Sequence, residues 1–353
     1  MADRAAIAKP RIGLLSFAHY HANFWGEVFA QRGVLAGIWD DDATRGQEAA
    51  TRLGARFHHH LDELLGLCDA VAICSETSRH PELIERAAAR GLAVLVEKPI
   101  AVSVSEGERI AKAVRAHGTV FMQSFPKRFD PVSHYLKKIV DEQTLGRVSL
   151  VRIRHGHFYG LDAGFRERWY VQPALAGGGA LLDEGIHGAD LLAWLFGVPD
   201  TVTAVVSHAA LGLQVEDLGI ATFGWRSGLV AELTASFCFA AADVSIELYG
   251  SLGTVLVSAV DLASRDITRE HFVRIHRRGA AGQSNTAPAW ETVPITPQFK
   301  LGQFHQQNAL AFLECLMRGT APPIGLDDGL RALRMIDSAY RAAQTGCRQE
   351  IHE

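Results

Sequence analysis

RIGLLSFAHYH, residues 11–21, is the stretch whose reading decides the fold. Its first half, RIGLLS, is continuously apolar and shows no polar alternation, as a strand buried on both faces requires. A helix is predicted around residues 20–32. The same couplet recurs downstream. VLAGIWD at 34–40 precedes ATRGQEAATRLG, a helix ending at Gly54. AVAIC at 70–74 precedes HPELIERAAARG, with Pro81 in its first turn and Gly91 past its end. LAVLVEKP at 92–99 precedes VSEGERIAKAVRAHG, and TVFMQS closes the series. Apolar strands joined by amphipathic helices through right-handed crossovers make a doubly wound α/β domain with a parallel sheet, assigned here to residues 1–126.

The second half of the opening stretch departs from what such a domain usually carries. A dinucleotide-binding turn reads G-x-G-x-x-G, because glycine permits the tight turn and lets a pyrophosphate approach the helix N-terminus. The aligned residues are Ser16, Phe17, Ala18, His19, Tyr20 and His21, and Gly13 lies inside the strand. Ser16 and Ala18 remain small, so a phosphate can still reach backbone N–H groups. The alternative is a doubly wound fold that has lost its cofactor. Asp40, at the end of the second strand, stands where an acid accepts the adenosine ribose hydroxyls and repels a 2′-phosphate, which favours NAD over NADP. Asp40, Asp41 and Asp42 also read as a solvated turn capping the next helix.

After about residue 126 the rhythm changes. RVSLVRIRHGHF at 147–158 alternates, and GGGALLDEGIHGADLLAWLFG at 177–197 reads as one long helical segment. TVTAVVSHA, IATFGW, LVAELTASFCF, VSIELYG and GTVLVS follow with short turns. They predict an α+β domain over residues 127–353 with a large, mostly antiparallel, open-faced sheet. Two helical patterns close the chain near 301–318 and 327–344, and these terminal helices can pack back on the first domain. GAAGQSNTAPA at 279–289 is expected to be a mobile loop.

Composition narrows the function classes. A net charge of -4 supplies no basic footprint for nucleic acid. No apolar run is long enough to span a bilayer, and the N-terminus lacks a signal-peptide layout. The cysteines at 68, 74, 238, 315 and 347 are scattered and odd in number, which fits reduced thiols in the cytoplasm.

Four stretches together resemble the glucose–fructose oxidoreductase/inositol dehydrogenase/MocA (Gfo/Idh/MocA) family, from about residue 11 to 345. They are Asp69–Ile73 followed by Ser75, Thr77 and His80; Val94–Pro99, carrying Glu97-Lys98-Pro99; Lys127-Arg128-Phe129-Asp130-Pro131; and Gly177-Gly178-Gly179 followed by Asp183, His187 and Asp190. The resemblance implies a Rossmann domain followed by an open-faced sheet domain. It also implies a dehydrogenase acting on a CH–OH group of a sugar, polyol or related compound. Cofactor contacts are then expected from Ser16, Phe17, Ala18, His19, Asp40, Ser75, Thr77, His80, Glu97, Lys98 and Gln123. A homodimer or homotetramer is expected, with open sheet faces packed together.

The chemistry is consistent with that implication. On one helix, Asp183, His187 and Asp190 would share a face. Oxidising a secondary alcohol needs a base for the hydroxyl proton, and histidine titrates near neutrality. Asp183 can orient the imidazole or hold the substrate hydroxyl. Lys98 can polarise the same oxygen, with the substrate lying between the domains. Arg128, Tyr159, Arg168 and Trp169 can line a polyol pocket, together with Asp183 and His187. A metal site is not expected: Glu184 would point elsewhere on the helix, and no second histidine lies at ligand spacing. His58, His59 and His60 read as a solvated strand end. Two other classes remain open: a cofactor-binding sensor or partner protein without turnover, and a nicotinamide-assisted lyase or glycosidase-like enzyme.

Overall fold

The structure is a computed structural model that describes residues 6–240, 244–260, 272–278, 290–295 and 302–352, so the loop expected at 279–289 lies outside the described residues. The chain divides into two compact units. One comprises residues 1–129, 174–177 and 302–333, and the other 130–173, 178–301 and 334–353.

The elements of the first unit begin with β1 (Ile12–Leu15), α1 (Ala22–Gln31), β2 (Leu35–Trp39), α2 (Ala43–Leu53) and α3 (Leu61–Leu65). They continue with β3 (Ala70–Ile73), α4 (His80–Ala88), β4 (Ala93–Val96), α5 (Val104–Ala116) and β5 (Phe121–Gln123). The strands form a sheet ordered β2-β1-β3-β4-β5, parallel throughout. Every residue of β1, β3 and β4 is buried, which is why these strands read as unbroken apolar runs. Side-chain oxygens of Asp42 and Ser103 cap α2 and α5, and Gly54 ends α2 in the left-handed conformation.

The second unit begins with α6 (Pro131–Asp141) and β6 (Val148–Gly156); the one-turn α7 (Pro173–Ala176), which follows in the chain, falls mostly in the first unit. The segment predicted as one helix is broken. It consists of α8 (Ala180–Asp183) and α9 (Gly185–Phe196), joined at Glu184. At the joint the His187 N–H bonds the Glu184 carbonyl, three residues back instead of four. Gly185, a poor helix former, follows the break directly.

Strands β7 (Thr201–Ser207), β8 (Leu218–Gly224), β9 (Val230–Ser236), β10 (Val244–Gly250) and β11 (Gly253–Val260) match the predicted run. The short β12 (Val273–Arg277) and β13 (Glu291–Thr292) were not foreseen. Last come α10 (Gln303–Arg318), α11 (Leu326–Thr345) and β14 (Gln349–Glu350). The sheet is ordered β13-β12-β11-β10-β6-β9-β8-β7-β14, and β6 with β9 is its one parallel pair among the described ladders. Helix α9 lies on one face of it. Gly188 makes that approach possible, since a Cβ there would sit 2.3 Å from Leu233 Cδ1.

Helix α10 belongs to the first unit and packs on α1. Ala309, Phe312 and Leu313 join Trp25, Phe29 and Leu14 in one core. Helix α11 gives its first eight residues to the first unit and the remainder to the second.

Candidate active site

In the first unit the expected cofactor residues gather at the carboxyl ends of the parallel strands, where doubly wound sheets bind ligands. Ser16 takes the left-handed turn that glycine would ordinarily supply, with φ of 68°. The loop is tied to Asp40. The Asp40 carboxylate accepts the Phe17 N–H at 2.7 Å and faces the Ser16 hydroxyl at 3.4 Å, while Ser16 Oγ accepts the Ala18 N–H at 3.2 Å. The His19 N–H goes to the Cys74 carbonyl. These amides, expected to stand ready for a phosphate, are bonded within the protein: Phe17 to Asp40, Ala18 to Ser16 and His19 to Cys74.

Basic groups beside Asp40 were also missed. Arg45 Nη2 lies 2.6 Å from Asp40 Oδ1 and 3.0 Å from Asp41 Oδ1. Arg79 pairs with Asp41 and lies over the Trp39 ring. Burial raises the Asp40 pKa, only partly offset by Arg45. Helix α2 is capped by Asp42 rather than by Asp40.

Ser75, Thr77, His80, Glu97, Lys98 and Gln123 are all buried. His80 Nδ1 faces the carbonyls of Pro99 and Ile100 at 3.0 and 3.3 Å, next to the cis Lys98–Pro99 bond. Burial lowers the His80 pKa to about 4. Glu97 is wholly buried, and neither of its carboxylate oxygens accepts a hydrogen bond from the described residues. His21 Nδ1 lies 3.3 Å from it, and the His21 ring packs on His19 and His305. Burial first, and the neighbouring His21 second, push the His19 pKa well down. The sequence reading gave His305 no role. His58, expected in solvent, is buried against Gly37, because the chain after α2 runs parallel to β2.

In the second unit Asp183 ends α8, whereas His187 and Asp190 lie on α9, so no single helix face holds all three. The break turns Glu184 toward β6. Its carboxylate oxygens lie 2.9 Å from His155 Nδ1 and 3.5 Å from His157 Nε2, and the His155 ring is 4.9 Å from that of His187. Sequence reasoning missed His155, His157 and this role of Glu184. The one available signal was the HGH alternation at 155–157, which turns both histidines to one face of β6.

Ligand-type atoms of His157, Asp183 and Glu184 do converge, as do those of His19, His21 and Glu97. In each group, however, one histidine accepts a backbone N–H at Nδ1: His157 from Tyr159, and His19 from His21. A neutral ring in that tautomer carries its proton on Nε2, as a hydrogen-bond donor and not a ligand lone pair.

Of the expected pocket residues, Tyr159 and Trp169 are half-buried and Arg168 is exposed, all on short turns following β6. Arg128 belongs to the first unit, where it pairs with Asp328 at 3.0 Å.

The glycine run before α8 has a specific structural cause. Gly177 has a φ of 82°. A Cβ on Gly178 would lie 2.3 Å from Tyr340 Oη, and one on Gly179 would lie 2.0 Å from the Glu216 carbonyl oxygen.

The parallel sheet of the first unit, with a buried acid and lysine at its strand ends, has the order of a doubly wound nucleotide-binding fold. The chain belongs to the GFO/IDH/MocA oxidoreductase family. The family's NAD-binding Rossmann profile matches residues 12–125, and its C-terminal-domain profile matches residues 133–256. It is 25% identical over 332 residues to 1,5-anhydro-D-fructose reductase of Ensifer adhaerens, covering 92% of this chain and 93% of that one. It is also 25% identical over 333 residues to D-xylose 1-dehydrogenase (NADP(+)) 2 of Haloferax volcanii, covering 92% and 94%. The fold matches that of levoglucosan dehydrogenase in complex with NADH and levoglucosan, with a TM-score of 0.83 at 19% identity over 97% and 99% of the two chains. No helix among the described residues is long and apolar enough to cross a membrane.

Proposed function

We propose that the chain is a cytoplasmic, NAD-dependent dehydrogenase of a secondary alcohol on a sugar, polyol or related compound. The observation that carries this reading is the presence in one chain of buried Lys98 after β4 and of His187 behind the Gly177–Asp183 turn. The relatives act on carbohydrates by name, which supports the substrate class.

The nicotinamide nucleotide fits the first unit. Ser16 takes the left-handed turn, and the Glu97 carboxylate retains acceptor capacity suited to a donor such as a ribose hydroxyl. Glu97, Ser75, Thr77, His80 and Gln123 would hold it, with Ser16–His19 beside its phosphates. When bound, the nicotinamide supplies the hydride acceptor. The chain's residues handle the proton. His187 takes it from the substrate hydroxyl, Asp183 holds that hydroxyl or orients the ring, and the Lys98 ammonium stabilises negative charge on the oxygen. NAD is preferred over NADP because Asp40 and Asp41 would meet a 2′-phosphate, while Arg45 and Arg79 are already engaged with those two acids. One observation favours a second reading, a partner protein without turnover: the Phe17 and Ala18 N–H groups are already bonded, to Asp40 and to Ser16.

A sheet-to-sheet homodimer or homotetramer is part of the proposal. Val205 and Ile220 are paired neighbours on one face, Val230 is on that same face, and all three are exposed. Light scattering that gives a monomer at micromolar concentration overturns it.

The decisive experiment is a turnover screen with NAD and NADP against sugars, inositols and sugar acids, followed by His187→Ala. The variant should lose about a hundredfold or more in turnover while binding NAD as before. Accumulating NADH separates a dehydrogenase from a lyase in which oxidation is transient. Full turnover in His187→Ala with an unchanged pH profile overturns the assignment of the base.

A further inference from the structure

Helix α8 is a single turn of four residues ending at Asp183, and its N-cap, Gly179, has no side chain with which to cap it. The N–H groups at a helix start need partners from elsewhere, and one turn has little stability of its own. Here two distant residues supply them all. Glu216 Oε2 accepts the Gly179 N–H at 2.9 Å, the Glu216 carbonyl accepts that of Ala180 at 3.0 Å, and Glu216 Oε1 accepts that of Leu181 at 2.9 Å. Tyr340 Oη, from α11, accepts the Leu182 N–H at 3.1 Å and donates its own proton to Glu216 Oε1 at 2.6 Å. Glu216 is buried. The order imposed at residues 179–182 passes along the backbone to Asp183, then to Glu184, whose carbonyl accepts the His187 N–H.

We infer that Glu216 and Tyr340 are a positioning pair, which fixes the Asp183–His187 segment in its reactive arrangement by holding the backbone in front of it. The inference rests on the proposed role of Asp183 and His187. It explains why two successive glycines precede α8: each lies where one member of the pair comes closer than a Cβ would allow. A purely structural staple would lower stability and leave the turnover of folded protein intact. A positioning pair lowers turnover in protein that is still folded.

Tyr340→Phe keeps the ring and removes one hydroxyl. Glu216→Gln keeps the shape but sets an amide N–H against a backbone N–H. In both, kcat should fall about tenfold to a hundredfold, the scale of a small misplacement of reacting groups. KM for the nucleotide should stay unchanged. Glu216→Asp, a shorter carboxylate, should restore part of the loss seen in Glu216→Gln. Amide hydrogen exchange at residues 180–182 should quicken at least tenfold in Tyr340→Phe, while exchange along 188–196 stays as in the wild type. Unchanged kcat in both variants, or unchanged exchange at 180–182, overturns the inference. Should the wild-type chain turn over no alcohol, the proposed function fails, and the exchange measurement still decides whether the pair orders this turn.

Discussion

The molecule holds two turns in which glycine would be expected, and only one of them is built of glycine. The turn after β1 carries Ser16, Ala18 and His21 at the positions where dinucleotide-binding loops carry glycine, and Ser16 still adopts the left-handed conformation. The turn before α8 keeps all three glycines. Gly179 has no positive φ, yet the Glu216 backbone leaves no room for a Cβ on it. The need for glycine is therefore set by what approaches the backbone and not only by the shape of the turn. The two turns also differ in the buried titratable groups around them. Imidazoles surround the first, whereas a carboxyl–phenol pair holds the second.

The largest expected effect tests the second turn. Gly179→Ala puts a methyl group 2.0 Å from a backbone oxygen that has no freedom to move aside. It should cost about 3 kcal/mol or more in stability and abolish turnover in whatever remains folded. Near-normal melting and turnover would break the contrast between the turns.

Acid should separate the two turns next. His80 must stay neutral in the folded chain, with its pKa lowered to about 4 from the ordinary 6.5. Its contribution is therefore present above about 6.5 and is lost as pH falls toward 4, amounting to roughly 3 kcal/mol. His19 acts in the same direction. Burial raises Glu216, partly offset by Tyr340 and the turn amides, so its contribution has the opposite sign: it is present at low pH and lost as pH rises through the raised value. Thermal melts from pH 7 to 4.5 should show a fall in stability that His80→Gln makes shallower. A wild type equally stable at both ends would contradict the assignment.

The smallest effect is expected at Ser16→Gly. Relief of the left-handed strain is worth about 1 kcal/mol, and it is offset by lost contacts of Ser16 Oγ with Ala18 and Arg45. The net change in urea unfolding should stay below about 1 kcal/mol. A larger loss would show that the serine side chain, rather than the backbone, holds this turn.

The sequence alone determined the parallel sheet, because strands buried on both faces must be apolar at every position and IGLL, AVAI and AVLV advertise this locally. It also determined the alternating strands of the second sheet and the family, since the Glu97-Lys98-Pro99 and Gly177–His187 patterns are contiguous. Only the tertiary structure decided how those residues are held. Arg45 reaches Asp40 from the next helix, His155 and His157 reach Glu184 from β6, and Glu216 and Tyr340 reach the glycine turn from 37 and 158 residues away. The break at Glu184 likewise escaped the periodic pattern, which continues across it. Polar contacts of this kind have no local period: a glutamate bound for the interior and one bound for solvent look alike in the chain, and only folding brings the buried one to the N–H groups that offset the cost of removing it from water.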